Sequence, residues 1–344
     1  MTGDDHLIDL PRLEDWIGDR LPGAGARLTA ERMGEGNGIA NALFLLRRDG
    51  HEWVLRRPPP VKNHPTASDT GREWRILNAL KGTPVPHPTP RLFCEDPAVL
   101  GATFMIIDRI HGFTPGVGLE PPFDTDPGAR RDLAMAYVDG IVELAGVDWV
   151  AGGLEGLGRP EGFLERQVGR WVGQLDGYRT RDLPEEPFLC EWLESNRPTM
   201  SPAAILHGDY SPFNVMVAPG TPARLAAIID WDTGTIGDPL LDIGHLLARW
   251  TEPGEEPVLG PPAGGVESYP SRKEMAARYA ERTQRDLSAL AYYEALALFK
   301  LGVILEGTFA RARAAGVPAE ENPMARSVPA LFRTAAAFAR GDRE

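Results

Sequence analysis

Cysteine is nearly absent. The 344-residue chain has only Cys94 and Cys190, far apart and outside any C-x-x-C spacing. A disulfide framework and a zinc ribbon are thereby excluded, and both residues read as buried or inert thiols. No apolar run approaches the roughly 18 to 20 residues of a membrane span, so no membrane partner is expected. The start, Met1-Thr2-Gly3-Asp4-Asp5-His6, is acidic and lacks the basic and apolar stretches of a secretory signal. A cytoplasmic location is the expectation. Basic residues are outnumbered, 36 Lys and Arg against 49 Asp and Glu, for a net charge of −13. Nucleic acid is therefore not an expected partner, and any phosphate site must be built locally. The seven histidines show no H-x-H or H-E-x-x-H spacing. There is also no G-x-S-x-G elbow, no G-x-x-x-x-G-K-[ST] loop and no internal repeat.

What is present is enough chain for one large unit or two closely packed ones. Residues 28–57 alternate strand-like stretches with turns. Leu43-Phe44-Leu45-Leu46 and Trp53-Val54-Leu55-Arg56 flank an Asp49-Gly50 pair that marks a hairpin. A glycine-rich turn at 34–41, containing Gly36, Gly38 and Asn41, precedes it. Pro58-Pro59-Pro60 ends the second strand, because proline has no N–H for the ladder. The spacing of Ile76, Leu77 and Leu80 predicts a helix over 69–81, capped by Asp69 or Thr70. A proline-rich link at 83–90 leads to an apolar strand at 104–107. Helical patterns then cover about 126–147, 161–178, 186–196, 238–250, 271–283, 286–315 and 324–340. Trp149, Trp171, Trp192 and Trp250 fall on them and read as core. Two strand candidates, 214–217 and 225–229, interrupt the helices. Residues 252–265 hold too much Pro and Gly for regular structure and read as a mobile surface loop.

Phosphoryl transfer from a nucleotide asks for a group to orient the attacking hydroxyl and for oxygen ligands that hold magnesium. His207-x-Asp209-x-x-x-x-Asn214 offers both at the spacing of the kinase catalytic loop. Asp209 would meet the hydroxyl, Asn214 would bind the metal and His207 would brace the loop. Asp230 ends the next strand, so a hairpin returns it to Asn214 as a second metal ligand. Asp238 reads as a helix cap before Pro239. Asp242 either favours the helix dipole or braces the catalytic loop. On the nucleotide side, Val54 and Arg56 share one strand face, with Val54 at the base and Arg56 at the phosphates. Glu73 lies on the apolar stripe of the 69–81 helix and wants a cationic partner, for which Arg56 is the natural choice. Two other readings use some of these residues: a nucleotide-binding pseudokinase, and a metal-dependent hydrolase built on His207, Asp209 and Asp230.

The order glycine turn, V-L-R strand, glutamate helix, HGDxxxxN, IID, GDPLLDIG resembles the aminoglycoside phosphotransferase family over about residues 28–340. Residues 53–59, 147–149 and 162–171 look like the branch related to the kinase domain of acyl-CoA dehydrogenase family members 10 and 11. The resemblance implies an α+β, two-lobed protein-kinase-like fold. Residues 1–108 would form a small antiparallel β-rich nucleotide-binding lobe, and 109–344 a mainly helical catalytic and acceptor-binding lobe. It implies ATP (or GTP) and Mg2+ as cofactors and a small-molecule hydroxyl as acceptor. Ile107 would be the gatekeeper, and the backbone of Asp108 and Ile110 would meet the base. Gly38 and Asn41 match the nucleotide loop, although Ala40 stands where serine is usual. Arg56 stands where many relatives have lysine, so its charge comes as a planar fork. The branch suggests hydroxylated acyl or hydroxy-acid acceptors, the wider family an aminoglycoside. Arg166, Arg170, Arg179 and Arg181 are candidates to receive an anionic acceptor, with solvated helix faces as the plain alternative. The helical insert at 113–200 and the loop at 252–268 would decide the acceptor.

Overall fold

The structure is a computed structural model that describes residues 7–34, 41–58, 69–260 and 262–343. Strands β1 (Thr29–Met33), β2 (Ala42–Arg48), β3 (His51–Arg57), β4 (Pro90–Cys94) and β5 (Phe104–Asp108) form one antiparallel sheet in the order β1-β2-β3-β5-β4. The β2–β3 connection is Asp49-Gly50, with φ of 50° and 76°. Those left-handed values are what a two-residue hairpin turn requires, which is why Asp-Gly occupies it.

Strand alternation divides the sheet between two cores. Trp53, Leu55, Phe104 and Ile106 pack with Leu13 and Ile17 of helix α1 (Leu10–Ile17). On the opposite face Met105 and Ile107 join Ile76 and Leu77 of α2 (Thr70–Ala79) in the larger core. Each such apolar side chain contributes about 1.5–3 kcal/mol on burial. Arg56 is therefore on the face that looks toward the rest of the molecule. Asp69 caps α2, its carboxylate accepting from the Gly71 and Arg72 N–H groups. A short α3 (Pro97–Leu100) lies between β4 and β5.

Helices dominate beyond β5: α4 (Pro127–Ala145), α5 (Gln167–Asp176), α6 (Glu186–Ser195), α7 (Leu240–Ala248), α8 (Arg272–Thr283), α9 (Leu290–Ala314) and α10 (Met324–Arg340). The expected helix at 161–178 opens instead as a 3-10 turn, Leu164–Arg166, that runs into α5. Two small antiparallel pairs sit among the helices. In one, β6 (Ala204–Leu206) pairs with β9 (Thr235–Gly237); in the other, β7 (Val215–Val217) pairs with β8 (Leu225–Ile228). The architecture is α+β, a small antiparallel sheet unit followed by a larger helical one, as expected. No helix among the described residues is long and apolar enough to cross a membrane.

Candidate active site

The segment between β6 and β7 is fixed almost entirely by hydrogen bonds to its backbone. Asp242, in the first turn of α7, accepts from the N–H groups of His207 at 2.7 Å and Gly208 at 2.8 Å. Of the two roles open to it, the loop brace is the one the geometry takes. Thr233 Oγ1 donates to the His207 carbonyl at 2.8 Å, and Lys300 of α9 donates to the Gly208 carbonyl. Gly208 has φ +80°, and a Cβ there would lie 2.8 Å from the Thr233 carbonyl oxygen, so only glycine fits. His207 is fully buried and stitches Ile229 O to its Nε2 at 2.8 Å. It braces the loop and does not face solvent. Asp238 lies one residue before the Pro239 cap of α7 and not at the cap itself, yet its Oδ1 accepts from Leu240 N–H, while Oδ2 accepts from Ser201 N–H and the Tyr293 hydroxyl.

This scaffold presents Asp209 with a side chain 44% exposed. Asn214 Nδ2 donates to Asp209 Oδ2 at 2.9 Å, and His245 Nε2 lies 3.0 Å from Oδ1. Burial alone would raise the Asp209 pKa. The His245 contact, with Lys300 and Arg249 nearby, outweighs it and holds the carboxyl well below the usual carboxylate range. Burial pushes the His245 imidazole below its ordinary value, with Asp209 pulling the other way.

The hairpin β7–β8 returns the chain to Asn214, where Ile229 N–H donates to the Asn214 carbonyl at 2.9 Å. Asp230 then adopts a left-handed backbone, φ 64° and ψ 67°, a conformation that costs a non-glycine residue about 1–2 kcal/mol and that clusters at functional sites. Arg56 reaches across from the sheet to bridge three carboxylates: Glu73 at 2.6 Å, Asp230 at 2.7 Å and Asp232 at 3.0 Å. Burial works to lower the Arg56 pKa, yet the three carboxylates hold it above its ordinary value. Burial pushes the Glu73 carboxyl upward, opposed by Arg56. Asn41 Nδ2 donates to Asp232 at 3.1 Å, which joins Asn41 to the same network. Gly36 and Gly38 lie outside the described residues.

Val54 and Ile107 are cross-strand partners in β3 and β5, so both face the same side beside Arg56. Asp108 ends β5 with its carboxylate held by Arg91 at 2.6 and 2.7 Å and its backbone N–H donating to Thr89 O at 2.9 Å. Ile110 follows two residues on, half-buried. The donor chemistry suits magnesium. Asn214 commits its amide N–H group to Asp209, so its Oδ1 could serve as an oxygen ligand, and Asp230, which pairs with Arg56 through Oδ1, could add a carboxylate oxygen. Among the described residues no group of three His, Cys, Asp or Glu could hold a metal unaided. Magnesium, which completes its shell with phosphates and water, does not ask for one.

A cavity opens beside His245, the residue in contact with Asp209, and is lined by Phe213, His245, Arg249, Trp250, Leu259 and Tyr269 among others. Trp250, two residues past the end of α7, packs half-buried against the larger core, as do Trp149 and Trp192, and it also forms part of the cavity wall. The Pro- and Gly-rich loop is irregular, as expected, but pinned. Arg272 holds Glu255 at 2.7 Å and Glu252 at 3.3 Å, and Trp250 Nε1 donates to Pro270 O. The candidate anion-receiving arginines are otherwise engaged. Arg179 pairs with Asp176 and Glu186, Arg181 with Glu306, and Arg166 with backbone carbonyls, while Arg170 lies over Trp171. Asp232, His245, Arg249 and Lys300 escaped the sequence reading. Asp232 had a signal, its position two residues past Asp230. The helical residues had none, because only tertiary packing brings α7 and α9 to the loop.

The chain is 31% identical over 319 residues to acyl-CoA dehydrogenase family member 11 of Gallus gallus, an alignment that covers 89% of this chain and 40% of that protein. It therefore spans about two fifths of the length of the curated relatives of this kind. A crystal structure from Ralstonia eutropha, provisionally assigned as an aminoglycoside phosphotransferase, is 27% identical with a TM-score of 0.77, over 95% of this chain and 98% of that one. An aminoglycoside phosphotransferase in complex with GDP and kanamycin shares the fold at 19% identity and a TM-score of 0.64, over 94% and 98% of the two chains. A family profile matches residues 35–299, a span that runs from the glycine turn through Arg56, Glu73, the His207–Asn214 loop and Asp230 to α9. The chain belongs to the phosphotransferase enzyme family.

Proposed function

We propose that this protein is an ATP- and magnesium-dependent kinase that phosphorylates a hydroxyl of a small molecule. The observation that supports the reading is the pairing of Asn214 with Asp209 on one loop and of Arg56 with Asp230 at the end of the β7–β8 hairpin, the two pairs being joined by the Ile229 N–H to Asn214 carbonyl bond. Asp209 accepts the hydrogen bond of the acceptor hydroxyl and orients its oxygen toward the γ-phosphorus. As the new P–O bond forms, the bond to the β–γ bridging oxygen breaks. ADP and a phosphomonoester result, and the hydroxyl proton leaves past Asp209 to solvent. Its contacts hold the Asp209 carboxyl below the usual range, which suits it to accept the hydroxyl's hydrogen bond and orient it. Asn214 Oδ1 and Asp230 would hold magnesium, which when bound offsets the phosphate charge. Arg56, positioned by Glu73, would meet the phosphates. Val54, Ile107 and the backbone of Asp108 and Ile110 would enclose the base, with Asn41 and the glycine turn of Gly36 and Gly38 over the phosphates. The division between the two lobes falls after Asp108, where β5 ends.

The cavity lining among the described residues contains aromatic and apolar side chains and no Asp or Glu. That favours a hydroxy-acid or hydroxyacyl acceptor over an aminoglycoside, whose several ammonium groups ask for carboxylates. A panel of hydroxyacyl-CoAs, hydroxy acids, aminoglycosides and amino alcohols, with ADP release and acceptor mass as readouts, tests the reading. Saturable MgATP binding with no phosphorylated product from any class would replace it with the pseudokinase.

A further inference from the structure

His245 Nε2 lies 3.0 Å from Asp209 Oδ1 and 3.2 Å from Arg249 Nη1. The two contacts cannot both be hydrogen bonds. A neutral imidazole nitrogen either carries a hydrogen or offers a lone pair, whereas a carboxylate only accepts and a guanidinium only donates. A lone pair at Nε2 would oppose the lone pairs of Oδ1 and remove a donor from a partly exposed carboxylate. A hydrogen at Nε2 makes a charge-assisted bond, roughly twice as strong as a neutral one. The charge on Asp209 therefore selects the Nε2–H tautomer.

Arg249 then keeps Asp209 only as an ion-pair partner. Its Nη1 faces an N–H group and stands 3.9 Å from Asp209 Oδ1, beyond hydrogen-bond reach. The side chain is only 17% exposed and lines the cavity with His245, Trp250 and Tyr269. No carboxylate among the described lining residues is there to pair with it. A mostly buried guanidinium whose one carboxylate partner lies at 3.9 Å has donors to spare, and the cavity it lines is where a further acceptor oxygen can come from.

We propose that Arg249 is the acceptor-specificity residue: it donates to an electron-rich oxygen, carboxylate or carbonyl, that the substrate carries near the hydroxyl held by Asp209. His245 is the positioning residue that fixes Asp209 and offers Arg249 Nη1 no lone pair. Ammonium groups next to the hydroxyl would meet like charge, so polycationic acceptors are rejected. The assignment rests on the kinase reading, with Asp209 at the acceptor hydroxyl.

The test compares wild type, Arg249→Gln, His245→Leu and His245→Gln, each checked for an unchanged melting transition. The probes are a medium-chain hydroxy acid, its coenzyme A thioester, the corresponding simple alcohol and an amino alcohol. Binding is followed by calorimetry with a non-hydrolysable ATP analogue, and turnover by ADP release. Wild type should bind the acid or the thioester about tenfold or more tighter than the alcohol, and Arg249→Gln should lose that preference. Which of the two arms responds identifies carboxylate or carbonyl. His245→Leu should lower kcat more than it raises KM, and His245→Gln, which keeps an N–H near the Nε2 position, should recover part of the loss. Wild type preferring the alcohol or the amino alcohol, binding none of the probes, or a preference retained in Arg249→Gln would overturn the proposal. Arg249-dependent binding without phosphoryl transfer would sustain the Arg249 assignment and sink the kinase reading.

Discussion

Replacing Asp242 by alanine should destabilise the protein severely while touching neither nucleotide nor acceptor. Its carboxylate is 1% exposed and accepts from two consecutive backbone N–H groups, His207 at 2.7 Å and Gly208 at 2.8 Å. Hydrogen bonds to a charged group contribute about 1.5–3 kcal/mol each. Two of them, with both donors left buried, put the loss at roughly 3–6 kcal/mol. Asp242→Asn keeps the shape and one acceptor but turns an NH2 toward the second N–H, for an expected loss of about 2–3 kcal/mol. Urea unfolding read from midpoint and slope measures both. An Asp242→Ala protein within about 1 kcal/mol of wild type would refute the view that this carboxylate holds the loop.

Other perturbations probe neighbouring links. Gly208→Ala should cost at least the 1–2 kcal/mol or so of a left-handed alanine and lower kcat, because its methyl meets the Thr233 carbonyl; melting and turnover at wild-type values would contradict this. Asp230→Ala should abolish the magnesium dependence of nucleotide binding, and unchanged affinity by calorimetry would remove Asp230 from the metal. The pH dependence follows from Asp209, whose folded pKa is depressed. The stability its partners confer is present above the unfolded value, about 3.9, and is lost as pH falls through the folded one. Asp209 thus stays ionised between about pH 5 and 8, and kcat should show no acid limb from it there. A limb near pH 6 that survives His245→Gln would place the Asp209 pKa much higher.

Much of the helical part was legible because its elements obey local rules. The apolar period and caps gave α4, α6, α8 and α10 to within one or two residues, and Asp49-Gly50 gave the β2–β3 hairpin. Strand β4 was hidden because Pro90-Arg91-Leu92-Phe93-Cys94 follows a run of prolines and carries a register shift between Pro90 and Leu92. The three-residue strands β6 and β9 are too short to show a period. In the site, the spacing His207, Asp209, Asn214 and the stripe position of Glu73 were enough to anticipate their neighbours. Lys300 reads as a helical lysine in sequence, and its burial against Gly208 comes only from the packing of α9 on α7. Arg181 shows the converse: it looks like a free cation, but Glu306, 125 positions away, already holds it.

The central claim is that Asp209 orients a hydroxyl for transfer of phosphate from ATP. The most direct measurement sets turnover against nucleotide binding in Asp209→Ala, using the acceptor that wild type phosphorylates fastest. The account predicts that acceptor phosphorylation, read by mass, disappears while MgATP affinity stays close to wild type. Phosphorylation at the wild-type rate would contradict it.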